Sequence, residues 1–80
     1  MALEFMGYTR SVIIEDSQQI RQIWYNPMME QLRIEFSHAG EQYQYENVTR
    51  EEFGKLVSAE SVGKFFNANI RSKPTTKITG

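Results

Sequence analysis

The chain has 80 residues, enough for one domain and near the size below which a single core does not hold without staples. It has no cysteine and one histidine, His38, which excludes disulfides and leaves too few ligands for a structural zinc site. Its net formal charge of −1 argues neither for nor against a nucleic-acid partner, so the distribution of charge has to be read instead.

From Lys64 onward the charged residues are Lys64, Arg71, Lys73 and Lys77, with no acid among them. Between Glu41 and Glu60, five acids face only Arg50 and Lys55. The C-terminal end is therefore locally basic. Five Phe, four Tyr and one Trp are a good supply for the core, and each well-buried large side chain contributes ~1.5–3 kcal/mol. No apolar run approaches the ~20 residues that span a bilayer, and no charged-then-apolar leader is present, so no membrane contact and a cytoplasmic location are expected.

Residues 1–6 contain a second methionine and a Leu-Glu-Phe that looks vector-derived; they are expected to lack order. Val12, Ile13 and Ile14 form a β-branched run, either a short extra edge strand or an extended lead-in, punctuated by Asp16 and Ser17. Ile20 to Tyr25 reads as a strand with Ile23 and Tyr25 on one face and Gln22 and Trp24 on the other. Asn26-Pro27 starts a turn. Gln31 to Phe36 alternates Leu32, Ile34 and Phe36 inward with Arg33 and Glu35 outward. Ser37-His38-Ala39-Gly40 is a hairpin loop whose glycine can supply a left-handed residue. Glu41 to Glu46 is the third strand, with Tyr43 and Tyr45 on the core side.

The period then changes. Thr49-Arg-Glu-Glu52 is a capping box, followed by Phe53, Leu56 and Val57 at helical spacing. Ser61 caps a second helix that buries Val62, Phe65, Phe66 and Ile70, and Lys73-Pro74 ends it. The expected architecture is α+β: a three-stranded antiparallel β-meander with two C-terminal helices packed on one face. The single domain is placed at residues 8–73, with residues 74–80 a loose basic tail. Tyr43, Tyr45, Phe36, Phe53, Phe65, Phe66 and Ile70 are its expected core.

Tyr25-x-Pro27, Tyr43-x-Tyr45-x-x-Val48 and Ala59-x-Ser61-x-Gly63-x-Phe65-Phe66-Asn67-x-x-Ile70-Arg71 together resemble the KTSC domain. That family is named for its occurrence at the C-terminus of some lysyl-tRNA synthetases and is also found as a stand-alone bacterial or phage protein. The resemblance runs from about Arg10 to Arg71 and implies the α+β architecture just given; RNA binding is the role suggested for the family. Two departures stand out. Thr49 replaces the usual proline after the valine, and Met28-Met29 replaces a more polar turn.

Two functional readings follow. In the first, a non-enzymatic module contacts RNA or single-stranded nucleic acid: Lys64, Arg71, Lys73 and Lys77 hold phosphates, while Trp24 with Arg33 adds stacking on the outer sheet face. In the second, Trp24, Met28, Met29 and an edge strand serve a protein partner or self-association. Catalysis is not expected, because His38 has neither a thiol nor a nearby aspartate and Glu51-Glu52 point about 100° apart on a helix. No cofactor or phosphate-cradle motif is present, and no cofactor or metal is expected.

Overall fold

The computed structural model describes residues 10–15, 17–38 and 40–78. The expectation for residues 1–6 and the turn at Asp16 lie outside them. Five strands and two helices follow in the order β1 Arg10–Ile13, β2 Ile20–Asn26, β3 Gln31–Phe36, β4 Gln42–Tyr45, α1 Arg50–Ser58, α2 Val62–Asn69 and β5 Thr75–Lys77. The strands form one antiparallel sheet in the order β1-β2-β3-β4-β5.

The sheet is thus larger than the three-stranded meander read from the sequence. The β-branched run at Val12 and Ile13 does pair with β2 as an extra edge strand. The segment expected to be a loose basic tail contains β5, which pairs with β4. Three exposed residues carry no hydrophobic alternation, so nothing in Thr75-Thr76-Lys77 announces a strand. What holds it is backbone: Glu46 N–H donates to Pro74 O at 2.9 Å and Ile78 N–H to Gln42 O at 2.8 Å.

Both helices lie on the face that the strand parity assigns to the core. Ile23, Tyr25, Leu32, Ile34 and Tyr45 meet Phe53, Leu56, Phe66 and Ile70 there, and all are buried. Ile20 and Val48 join them at 0% exposure. Phe36, Tyr43 and Phe65 are half-buried against the cluster. The rings interlock: Phe66 meets Phe36 at 5.6 Å and Tyr45 at 5.3 Å, both edge-on. Edge-to-face pairs add ~0.5–1.5 kcal/mol beyond their burial.

Turns and caps follow local chemistry. Gly40 adopts φ 64°, the left-handed conformation its hairpin needs. Asn26 Oδ1 accepts from the N–H groups of Met28 and Met29 at 3.2 Å each, an Asx turn that fixes the β2–β3 tip. Thr49 Oγ1 accepts from Glu52 N–H at 3.1 Å, and Glu52 Oε1 accepts from Thr49 N–H at 3.1 Å, which completes the capping box. The second helix ends at Asn69, earlier than Lys73-Pro74 implies. Ile70 and Arg71 both donate their N–H to Phe66 O at 2.9 Å, so the chain turns off before the proline acts.

Glu52 gives a pH prediction. Burial pushes its carboxyl up, but the Thr49 N–H and the Lys73 ammonium outweigh this and leave it below the ordinary range. A depressed folded-state pKa gives a contribution that is present above the unfolded carboxylate range and lost as pH falls through the folded value. Urea denaturation at a series of acidic pH values should show a shallower acid loss in Glu52→Gln than in the parent chain. At neutral pH, Thr49→Ala should cost ~1 kcal/mol through loss of the cap.

Candidate functional site

The cations of the C-terminal region divide into two groups. Lys73 Nζ donates to Asn47 O at 2.8 Å and pairs with Glu52 at 3.2 Å; its side chain is 19% exposed. Lys77 pairs with Glu41 at 3.2 Å. Both therefore tie the last segment of the chain to the sheet and to the start of α1. Lys64 and Arg71 are different. Both are exposed, and neither lies within ion-pairing distance of a carboxylate among the described residues. Lys64, Ala68 and Arg71 are spaced four and three apart, so they form one solvent-facing stripe along α2 and its end.

On β4 the half-buried ring of Tyr43 sits opposite Lys77 in the β4–β5 register. Tyr45 is buried deeper. Its phenol is pushed up to about 12, first by burial and then by Tyr43, with Arg71 opposing. The hydroxyl of Tyr45 is thus a neutral group near the Arg71 guanidinium.

Trp24 and Arg33 belong to the other side of the sheet. The register aligns Ser11, Trp24, Arg33, Gln44 and Thr76 in one row across all five strands. Trp24 is half-buried in that row, and Arg33 is 4% exposed although its parity places it outward. Arg33 thus keeps the outward register expected of it while lying almost wholly out of solvent. Burial of this kind is an effect that strand parity cannot register. Trp24 and the α2 stripe lie on opposite faces and do not form one continuous footprint.

Most of the C-terminal motif is used in packing. Ser61 Oγ accepts from Lys64 N–H at 3.3 Å and caps α2. A Cβ added to Gly63 would lie 3.1 Å from Gln19 Oε1, so glycine permits the β1–β2 connection to lie close to α2. Gln19 and Asn67 exchange side-chain amide bonds at 3.4 and 3.5 Å across the same gap. Phe66 and Ile70 are buried. Asn69 Nδ2 donates to Phe65 O at 3.2 Å. Arg71 is the motif position whose side chain packing leaves unused.

The β2–β3 tip carries Met28 at 88% exposure and Met29 at 63%, with Ile13 of the β1 edge at 65%. His38 is exposed at the next hairpin. Among the described residues no group of three or more His, Cys, Asp or Glu is placed to hold a metal ion, and no helix is long and apolar enough to cross a membrane. A further pair, Arg10 and Arg50, lines one cavity together with Tyr25, Pro27 and Phe53. The two arginines are far apart in sequence; only the β1–β2 register and the α1 cap bring them together, and no spacing pattern signals it.

The KTSC domain profile matches residues 16–73. A KTSC domain protein of Yersinia pestis, known from a crystal structure, is 31% identical to this chain, with a TM-score of 0.80; the match covers 88% of this chain and 97% of that one. No curated protein matches the chain. With the profile covering most of the sequence and the solved relative sharing fold and length, this chain belongs to the KTSC domain family.

Proposed function

We propose that the domain is a non-enzymatic binding module for RNA or single-stranded nucleic acid, and that it binds on its helix-bearing side. The observation that carries this reading is the placement of the cations that have no carboxylate partner among the described residues. Arg10, Arg50, Lys64 and Arg71 all lie on that side, at the start of β1, on α1, on α2 and just past α2. The opposite face of the sheet presents Gln22, Glu35, Gln42, Gln44 and Glu46 beside Trp24. On that face Arg33 is buried and Arg21 is already paired with Glu35, so a polyanion would gain little there and the electrostatics favour the helix side. Tyr43, half-exposed next to Lys77, supplies a ring for stacking a base.

The second reading is protein association at the β2–β3 tip, favoured by the adjacent exposed Met28 and Met29. Methionine is an adaptable apolar contact, and the Asx turn at Asn26 holds the pair outward.

The two readings separate in one set of titrations. Binding of labelled single-stranded RNA and DNA oligomers is followed by anisotropy at several salt concentrations. The nucleic-acid reading expects salt-dependent binding. Arg71→Gln should weaken it and lower the salt slope by about 0.7, the loss of one phosphate contact on a single strand. Trp24→Ala should leave the slope unchanged. Absence of binding to every oligomer at low salt rejects this reading, and self-association abolished by Met28→Ser/Met29→Ser would then favour the second.

A further inference from the structure

The cavity of about 280 Å³ at the junction of β1, the β2–β3 turn and α1 is lined by Arg10, Tyr25, Pro27, Arg50 and Phe53. Its floor is aromatic. Tyr25 and Phe53 stack with centroids 4.5 Å apart and planes 6° from parallel, and both are almost fully buried. The Tyr25 hydroxyl is committed to Val48 O at 2.6 Å. What the cavity offers a ligand is therefore its two guanidiniums.

Each is held by a different element. Arg10 stands opposite Tyr25 in the β1–β2 register, and its guanidinium carbon lies 5.8 Å from the Phe53 centroid. Arg50 is the first residue of α1, directly after the Thr49 cap. Neither makes an ion pair among the described residues. Two acids act electrostatically in the neighbourhood, Glu30 and Glu52, both felt at the Tyr25 hydroxyl. Glu52 is already bonded to Thr49 and Lys73, and Glu30 is exposed. Two like charges brought to one aromatic-floored cavity repel each other, and a bound anion relieves that repulsion.

We infer that this cavity binds a phosphate group, gripped between Arg10 and Arg50 over the Tyr25–Phe53 stack. A guanidinium presents two parallel N–H donors to an oxyanion, and two such forks from separate elements suit a tetrahedral group better than a planar carboxylate, which has only two oxygens to share. The volume exceeds that of a phosphate alone and admits part of the group to which it is attached. The site is separate from the α2 stripe and does not depend on it.

The test is an amide chemical-shift titration of the intact domain with sodium phosphate, against sodium acetate and sodium chloride at matched ionic strength. Saturable shifts at Arg10, Arg50 and Phe53 with phosphate, and only weak linear shifts with the other salts, are expected. Arg50→Gln should weaken phosphate binding roughly tenfold, the loss of charge-assisted bonds from one fork. Arg10→Lys keeps the charge and the aliphatic stem but removes the fork; it should weaken binding while leaving the unfolding midpoint in place. Lys55→Gln, at a cation already paired with Glu51, should have no effect on phosphate binding. Uridine 5′-monophosphate binding more tightly than inorganic phosphate would assign the site to nucleotide phosphates; equal binding would assign it to free phosphate. Equal responses to phosphate, acetate and chloride overturn the inference, as does a saturable response that survives both arginine substitutions.

Discussion

Tyr25 joins the sheet to the first helix through two contacts made by a single side chain. Its ring stacks flat on Phe53 of α1, and its hydroxyl donates a 2.6 Å hydrogen bond to the carbonyl of Val48, just before the helix cap. The ring fixes how far α1 stands above the sheet; the hydroxyl fixes where the helix begins. Val48 is itself fully buried, so its carbonyl has no water to turn to and depends on this donor. Val48 N–H in turn donates to Glu30 O at 2.9 Å, which ties the same point back to the β2–β3 turn. Glu30 takes φ 53° and Asn47 φ 61° on either side of this junction, two non-glycine residues in left-handed conformations. Such conformations persist where the surroundings over-determine them, and here the Val48 bonds and the Lys73 bond to Asn47 O do so.

Anchoring at this end leaves the other end of the molecule to α2. Gly63 and Asn67 let the helix lie against Gln19, while Phe66 and Ile70 fill the space beneath it. The family motif is thus mostly a packing instruction: a cap, a close approach, an amide pair and two core side chains. Resemblance through these residues reports architecture far more directly than activity. Arg71 is the exception, since nothing in the packing explains a guanidinium at that position.

Much of this was legible in the sequence because it follows from period and parity. The alternation of Leu32, Ile34 and Phe36 and of Tyr43 and Tyr45 gives the buried face, and the capping box at Thr49 gives the helix start within a residue. Three features were not legible, each for a physical reason. β5 is held by backbone bonds in a fully exposed strand, so its side chains carry no signal. Arg33 has outward parity yet is buried, and burial on the outer row is a tertiary property. The basic run at the C-terminus reads as a patch, whereas Lys73 and Lys77 find Glu52 and Glu41, partners distant in sequence that only folding brings near. Sequence shows where like charges cluster; it does not show which of them folding neutralises.

That distinction decides how the surface can be used. A salt-bridged lysine offers a polyanion little, because its carboxylate partner must be displaced or repels the incoming phosphate. With Arg33 buried, and Arg21, Lys55, Lys73 and Lys77 paired with Glu35, Glu51, Glu52 and Glu41, the remaining attraction for an anion comes from Arg10, Arg50, Lys64 and Arg71. These do not follow one another along the chain. They are assembled by the packing of two helices on one face of the sheet, so the electrostatic character of that side depends on the fold itself. Loosening the Tyr25–Phe53 contact would therefore do more than destabilise the core: it would let α1 move relative to β1 and separate Arg50 from Arg10. In this domain the core contact that positions the helix also positions the charge.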